Sequence, residues 1–256
     1  MNKFITSDKT LLVTDMTRIS TGVAGLDEML QGGFLSNKII LARGGPGTGK
    51  TLFSLQFLAE GARKQEKGIY VTLEEPLGSI RTAASELGFD FENLEKKGAL
   101  KLIDGSELVY KFGEEIKRGY ESTRPVISQI AQQIVLEVEG FGAKRLAIDP
   151  ITSAIIHQRF PTDKRLEILA LIKALRKIKC TSLITSEASS PSSDDFFVEE
   201  YLADGVIILA QTLHNFTVIK TVRIEKMRGT RHDDQPRKYE IGDKGLIVYN
   251  SEPVTV

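Results

Sequence analysis

The sequence predicts an α/β fold, in which helices flank a twisted, mostly parallel sheet and an antiparallel extension lies at the C-terminal end. Apolar runs of strand length alternate with helix-like runs through the middle of the 256-residue chain. The last part differs, because two longer strand-like runs, 216–226 and 238–249, are joined by a polar turn. A chain of this length can bury one sizeable core, so we predict an N-terminal arm at residues 1–16 and one domain at residues 17–256.

Six short apolar runs are the predicted parallel strands of this domain. They lie at 39–42, 69–73, 100–103, 146–148, 183–185 and 206–209. Two amphipathic runs, 126–138 and 166–178, have the spacing of helices that cover a sheet. The alternation of the two patterns favours parallel strands joined by helices that lie on both faces of the sheet.

The balanced overall charge excludes a protein that binds nucleic acid through a large net positive charge. Lys and Arg together number 34 and so do Asp and Glu, so no general positive field can hold nucleic acid and any such binding needs a local patch. The single cysteine, Cys180, fits a reducing compartment. We find neither the ~20 apolar residues of a membrane helix nor a signal-peptide core. We therefore expect a soluble, cytoplasmic protein that does not contact a membrane.

The most informative segment is the glycine-rich run 44–51, which fits G-x-x-x-x-G-K-[ST] and lies between a strand-like and a helix-like run. Glycines let several N–H groups converge on phosphates, and the following helix N-terminus adds its positive dipole end. Lys50 would then bind the β- and γ-phosphates, and the Thr51 hydroxyl would bind Mg²⁺. The predicted ATP-binding residues of this loop are Gly45, Pro46, Gly47, Thr48, Gly49, Lys50, Thr51 and Leu52.

Hydrolysis of a bound nucleotide needs further carboxylates, and two strand ends supply them. Asp149 ends the apolar run 145–149 and would hold Mg²⁺ with Thr51, directly or through the water shell of the ion. Glu74 and Glu75 follow the predicted strand 69–73, at the edge where ligands bind in α/β sheets. We predict that Glu74 orients the attacking water and that Glu75 supports it, the alternative being two solvated acids before a turn.

A locally basic segment lies near the C-terminus. Residues 220–238 include seven Lys or Arg residues and three acids. This is either a solvated turn or a source of two cationic fingers, Lys226 and Arg228, that reach the γ-phosphate of a neighbouring subunit.

Several motifs together resemble one family. The segments 21–34, 44–51, 71–75, 145–149, 199–206 and 226–230, taken in order, are similar to the KaiC-like family of the RecA superfamily, whose single-domain members include proteins like the archaeal RadA paralogues. The resemblance implies a RecA-like P-loop NTPase core that assembles as a ring, usually a homohexamer, with ATP held between neighbours. By resemblance, the residues that contact ATP across the interface are Lys226, Met227, Arg228, Thr230, His232 and Asp243.

These observations predict a Mg²⁺-dependent ATPase that works as a homo-oligomer, with single-stranded DNA as a candidate partner in recombination or repair. In such a ring the loops 155–161 and 189–197 would face the central channel. The first, together with Lys164 and Arg165 that follow it, mixes cations with one aromatic residue, whereas Asp194 and Asp195 in the second repel phosphate. The alternative is a signalling or scaffold switch that holds ATP and hydrolyses it slowly. A kinase for a small acceptor has less support, and one domain does not predict a circadian role.

Overall fold

The computed structural model describes residues 17–107, 109–110, 126–155, 161–187 and 198–253. The predicted N-terminal arm, the loop 189–197 and most of the loop 155–161 lie outside these residues. Among the described helices none has both the length and the apolar character that crossing a bilayer requires.

The strands and helices alternate along the chain. The described strands are β1 Arg18–Ile19, β2 Phe34–Leu35, β3 Ile39–Gly44, β4 Gly68–Thr72, β5 Leu100–Asp104, β6 Arg145–Asp149, β7 Thr181–Glu187, β8 Gly205–His214, β9 Thr217–Met227, β10 Arg237–Gly242 and β11 Gly245–Pro253. The described helices are α1 Leu26–Met29, α2 Lys50–Arg63, α3 Leu77–Glu86, α4 Phe91–Lys96, α5 Val126–Phe141, α6 Thr152–Ile155, α7 Pro161–Leu175 and α8 Val198–Leu202.

Nine of the described strands form one sheet in the order β11-β10-β9-β8-β3-β7-β6-β4-β5. The six strands from β8 to β5 are parallel, and β9, β10 and β11 continue the sheet with antiparallel pairing. The predicted α/β fold with an antiparallel C-terminal extension is therefore confirmed. Because the central strands are parallel, their carboxyl ends meet at one edge of the sheet, which is where such folds bind ligands.

The core lies on both faces of the sheet, because side chains of successive strand residues point in opposite directions. Ile40 of β3 packs on one face with Phe53 and Phe57 of α2. Its neighbour Leu41 packs on the other face with apolar residues of α5 and α7. Burial on both sides explains why β3 and β6 are read from the sequence as continuous apolar runs.

One predicted strand is wrong. The run 238–249 is not a single strand but a hairpin, β10 and β11, in which Gly242 pairs with Gly245. The two residues between them form the turn, and Gly245 has a φ of 99°, a conformation that favours glycine. The polar Gly-Asp-Lys-Gly sequence was the available signal for this turn.

Arg145, the first residue of β6, has a fully buried side chain. Its guanidinium donates to Glu66 Oε2 at 2.7 Å and to the carbonyls of Ser20 and Phe57 at 2.8 Å each. Burial lowers the pKa of Arg145, and the carboxylate of Glu66 opposes that shift. These contacts tie the start of the domain, α2 and the loop before β4 to the sheet.

We expect Arg145→Leu to lower the free energy of unfolding by about 3 kcal/mol, because it leaves a carboxylate and two carbonyls without their buried partner. Denaturant unfolding measures this change. Lys101→Met is the matched control, since it breaks the half-exposed pair with Glu137 and should cost less than about 1 kcal/mol. Equal effects of the two variants would contradict a structural role for Arg145.

Candidate functional site

The glycine-rich loop connects β3 to α2 at the carboxyl edge of the sheet. Gly47 and Gly49 have φ values of 71° and 88°. A Cβ added at Gly44 would lie 2.5 Å from the carbonyl oxygen of Leu209, so the strand end also requires glycine. Around Gly45 and Gly47 no atom of the described residues lies within 4 Å of an added Cβ. This side of the loop is therefore open to a ligand.

Lys50 is 9% exposed and lies across the loop. Its Nζ donates to the carbonyls of Gly44 at 2.9 Å and Gly45 at 3.0 Å. Burial lowers the pKa of Lys50, whereas the negative charges of Glu187, Asp149 and Glu74 oppose that shift. Three carboxylates near the carboxyl edge of the sheet thus act on the lysine of the loop.

Asp149 ends β6, which is separated from β3 by β7 alone. The side chain is 4% exposed. Its Oδ2 accepts a hydrogen bond of 2.6 Å from the hydroxyl of Tyr70, and its Oδ1 accepts one from Thr185 Oγ1. Burial raises the pKa of Tyr70 well above its ordinary value, so the phenol stays protonated and donates. Two fixed donors therefore orient the Asp149 carboxylate.

Glu74 and Glu75 lie in a turn just beyond β4, which ends at Thr72. The Thr72 hydroxyl donates to the carbonyl of Glu75 at 2.7 Å and accepts from the N–H of Glu75 at 3.0 Å. Ser153 Oγ donates to Glu74 Oε2 at 2.9 Å. Burial raises the pKa of the Glu75 carboxyl, and the charges of Asp149 and Glu74 add to that rise. Because neither glutamate is on the strand, this turn sets the directions of their side chains.

The donor set of the site fits Mg²⁺. Thr51 and Leu52 are half-buried in the first turn of α2, and Asp149 supplies a carboxylate. Mg²⁺ prefers oxygen ligands, and it needs only a few of them from the protein when phosphates and water complete its coordination. In the ranges that the structure describes, no cluster of three or more His, Cys, Asp or Glu residues could hold a metal alone.

The predicted finger residues lie at the other end of the sheet. Lys226 and Met227 end β9, and Arg228 follows. Lys226 pairs with Val206 near the start of β8, whereas Lys220, six residues earlier, reaches the loop by a contact to Gly47 of 2.6 Å. Six strand residues span about 20 Å, so Lys226 is too far away to contact a nucleotide held by the loop of its own chain.

The side chains of this segment differ in their exposure and charge. Arg228 donates to the carbonyl of Tyr201 at 3.0 Å and is about half-exposed. Met227 is buried against Gly205. Thr230 is buried too, and its carbonyl lies 3.2 Å from His232 Nδ1. Lys226 and Arg228 are thus the two cationic side chains of this set.

Asp243 lies apart from the other predicted interface residues. It is in the turn between β10 and β11, whose Ile241 and Leu246 side chains lie within 3.2 Å of an added Cβ at Gly49. The structure therefore places Asp243 beside the loop of its own chain, and its contact with nucleotide stays a prediction.

Sequence reasoning missed several residues that contact the site. Tyr70, Thr185 and Ser153 hold the carboxylates, and Gln211, Lys220 and Tyr239 contact the loop. Tyr70 and Thr185 lie inside apolar strands, where an isolated polar residue is a weak signal of a buried partner. Gln211, Lys220 and Tyr239 are each more than 160 residues away from the loop residue that they contact, so no local pattern reveals these contacts.

The chain is similar to proteins of one family over nearly its whole length. The family model described as "ATPase: KaiC" matches residues 19–253. A UPF0273 protein of Aeropyrum pernix is 32% identical over 242 residues, which are 93% of this chain and 96% of that protein. The circadian clock oscillator protein KaiC of Prochlorococcus marinus subsp. pastoris is 33% identical over 236 residues, and the match covers 91% of this chain but 45% of the clock protein.

A solved structure gives the same result. The crystal structure of a KaiC-like protein from the archaeon Pyrococcus horikoshii has a TM-score of 0.77 and 33% identity to this chain, and it covers 91% of this chain and 99% of that one. The fold, the phosphate loop and these similarities agree on an ATP-binding domain of the RecA type. This chain belongs to the KaiC family of ATPase domains.

Proposed function

We propose that the protein is a Mg²⁺-dependent ATPase that works as a homo-oligomeric ring, with a hexamer as the expected form. One observation carries the proposal. The loop with Lys50, the Asp149 carboxylate and the Glu74 carboxylate come from three different strand ends and meet at one edge of the sheet. This combination can bind a triphosphate and also activate water, whereas a glycine-rich turn alone can do neither.

The loop and the first turn of α2 would hold the triphosphate. The Nζ of Lys50 would exchange its two carbonyl contacts for oxygens of the β- and γ-phosphates. Thr51 and Asp149 would hold Mg²⁺, which neutralises charge on these phosphates. Hydrogen bonds from Tyr70 and Thr185 fix the orientation of the Asp149 carboxylate, so this side chain needs little reorganisation when Mg²⁺ and nucleotide bind.

Glu74 is the candidate for orienting the attacking water. Its Oε2 accepts from Ser153, which leaves Oε1 for the water. Glu75 stands next to it with a raised pKa, and we assign it a supporting role. A carboxylate at this place would align the water with the γ-phosphate. Such positioning, together with electrostatic stabilisation, accounts for most of the catalysis of phosphoryl transfer.

The remaining positive charge would come from a neighbour. Lys226 lies about 20 Å along β9 from Lys220, which contacts the loop of the same chain, and Arg228 lies two residues further on, so we assign both to the site of another copy. Arg228 is half-exposed, with a contact of 3.0 Å to the carbonyl of Tyr201 and a longer one of 3.7 Å to the Asp204 carboxylate, and it would exchange both for the γ-phosphate of the neighbour. This geometry supports a site that two protomers complete.

We expect Arg228→Ala to lower ATP turnover by about 10³-fold while ATP still binds, because a cationic finger acts mainly on the charge of the transition state. Steady-state phosphate release and equilibrium ATP binding measure the two effects. Arg176→Ala is the matched control, since Arg176 contacts the same Asp204 carboxylate and lies at the same end of the sheet. We expect that control to keep wild-type turnover.

Mixing two inactive variants tests whether the finger acts between chains. Lys50→Ala lacks the loop lysine and keeps the finger, whereas Arg228→Ala has the reverse defect. If a neighbour supplies the finger, mixed oligomers recover part of the wild-type turnover. Absence of any recovery in oligomers shown to contain both variants would contradict a shared site.

The role of DNA and the alternative of a slow switch are separated by one assay. The predicted DNA loops lie largely outside the described residues, so DNA recombination or repair rests on sequence alone. We propose to measure ATP turnover with and without single-stranded DNA at a stated salt concentration. Strong stimulation supports a DNA motor or recombination factor, and slow turnover that DNA does not change supports a signalling or scaffold switch.

A further inference from the structure

Each carbonyl of the phosphate loop from Gly44 to Thr48 accepts a hydrogen bond from a side chain. Lys50 Nζ donates to the first two, Gly44 and Gly45. Thr48 Oγ1 also donates to Gly45, at 2.8 Å. These contacts are made within the loop and its helix.

The next three carbonyls are held from outside, by the antiparallel extension. Gln211 Nε2 of β8 donates to Pro46 at 3.2 Å, Lys220 Nζ of β9 donates to Gly47 at 2.6 Å, and the Tyr239 hydroxyl of β10 donates to Thr48 at 2.6 Å. We call Gln211, Lys220 and Tyr239 the bracing residues.

The bracing residues are themselves well positioned. Gln211 and Lys220 are paired across β8 and β9, and Lys220 Nζ donates to Gln211 Oε1 at 3.0 Å. Tyr239 is 1% exposed, and burial raises its pKa, so its hydroxyl remains a donor. One rigid sheet therefore presents three donors to three successive peptide groups.

We propose that Gln211, Lys220 and Tyr239 are positioning residues that hold the phosphate loop in its phosphate-binding shape. In a planar trans peptide the C=O and the following N–H point in opposite directions. Fixing the carbonyls of Pro46, Gly47 and Thr48 therefore fixes the N–H groups of Gly47, Thr48 and Gly49. Among the described residues, none of these three N–H groups donates to a backbone carbonyl with full hydrogen-bond geometry, so a phosphate can accept from them.

The benefit of bracing follows from the glycine content of the loop. Gly45, Gly47 and Gly49 give the free loop many backbone conformations, and binding would have to select one of them. Holding the peptide planes in advance removes that entropic cost and so raises the affinity for phosphate. This inference rests on the proposed ATP-binding function and assigns to the C-terminal extension a part in it.

Tyr239→Phe is the direct test, because it removes one hydroxyl and keeps the buried ring. We expect the affinity for Mg²⁺-ATP, Mg²⁺-ADP and Mg²⁺-tripolyphosphate to fall by the same factor, about three- to tenfold, as for the loss of one hydrogen bond. Isothermal titration calorimetry measures all three. Tyr249→Phe is the matched control, since its hydroxyl donates to Glu240 at 2.9 Å and, among the described residues, to no residue of the loop, and the affinities of this variant should equal those of the wild type.

The kinetic pattern distinguishes positioning from a purely structural effect. Once phosphate is bound the loop is held by its ligand, so the effect of Tyr239→Phe should fall on KM and much less on kcat. A fall confined to ATP and ADP would show that Tyr239 acts on the base or sugar, and would overturn the proposal. Affinities equal to those of the wild type would overturn it as well.

A second variant covers the case in which Tyr239→Phe does not fold. Lys220→Met changes a half-buried side chain and should weaken tripolyphosphate binding more than Lys244→Met, which removes the same charge from the exposed β10–β11 turn. Equal effects of these two would contradict bracing by Lys220. If the wild type binds neither nucleotide nor tripolyphosphate, the proposed function itself fails. If the wild type binds them and the variants bind them equally well, only the bracing proposal is refuted.

Discussion

Lys50→Ala is expected to reduce ATP turnover by at least about 10³-fold and to weaken ATP binding. The Nζ of Lys50 is the buried cation of the loop, and a preorganised charge on the transferred phosphoryl group supplies a large part of the stabilisation of its transition state. Phosphate release at saturating Mg²⁺-ATP and equilibrium binding measure the two effects.

A surface lysine just beyond the C-terminal end of α2 is the control for this variant. Lys64→Ala changes the residue that follows α2, whose ammonium lies 3.4 Å from Glu60, and we expect turnover like that of the wild type. Thermal unfolding of both variants checks that the fold is kept. Turnover by Lys50→Ala at the wild-type rate would contradict the assignment of the loop as the phosphate site.

Glu74→Gln is expected to stop hydrolysis and spare ATP binding. The amide keeps the size of the side chain and its contact with Ser153, whose hydroxyl is 2.9 Å from Oε2, but it loses the charge that polarises water. Loss of such a catalytic group lowers the rate by about 10²- to 10⁴-fold. Single-turnover hydrolysis measures the chemical step, and calorimetry measures binding.

Two further variants define the role of Glu74 more closely. Glu86→Gln changes an exposed glutamate at the end of α3 and should have no effect on turnover. Glu75→Gln should lower the rate less than Glu74→Gln does, because Glu75 is assigned a supporting role. If Glu75→Gln causes the larger loss, the two roles are reversed, and if neither variant slows hydrolysis, the water is activated elsewhere.

Most of the sheet could be predicted from the sequence because its central strands are buried on both faces. The run 39–42 is the apolar part of β3 and the run 146–148 that of β6. The strand β8 extends five residues beyond the predicted 206–209, to His214, because it pairs with β9 in an exposed hairpin. Polar residues in that part of β8 gave no apolar signal.

The binding loop was predictable because its function requires a short motif, whereas its surroundings were not. The spacing of Gly44, Lys50 and Thr51 is local and follows from the geometry of phosphate binding. The contact of Tyr239 with Thr48 joins residues 191 positions apart and depends on the register of three antiparallel strands. A buried arginine such as Arg145 is equally hidden, since its partner Glu66 is 79 residues away.

Equilibrium binding of Mg²⁺-ATP to the purified wild-type chain, with the bound nucleotide counted per protomer, tests the central claim most directly. We predict one ATP per chain, displaced by tripolyphosphate and lost in Lys50→Ala. A chain that is folded and retains no ATP at millimolar concentration would contradict the account.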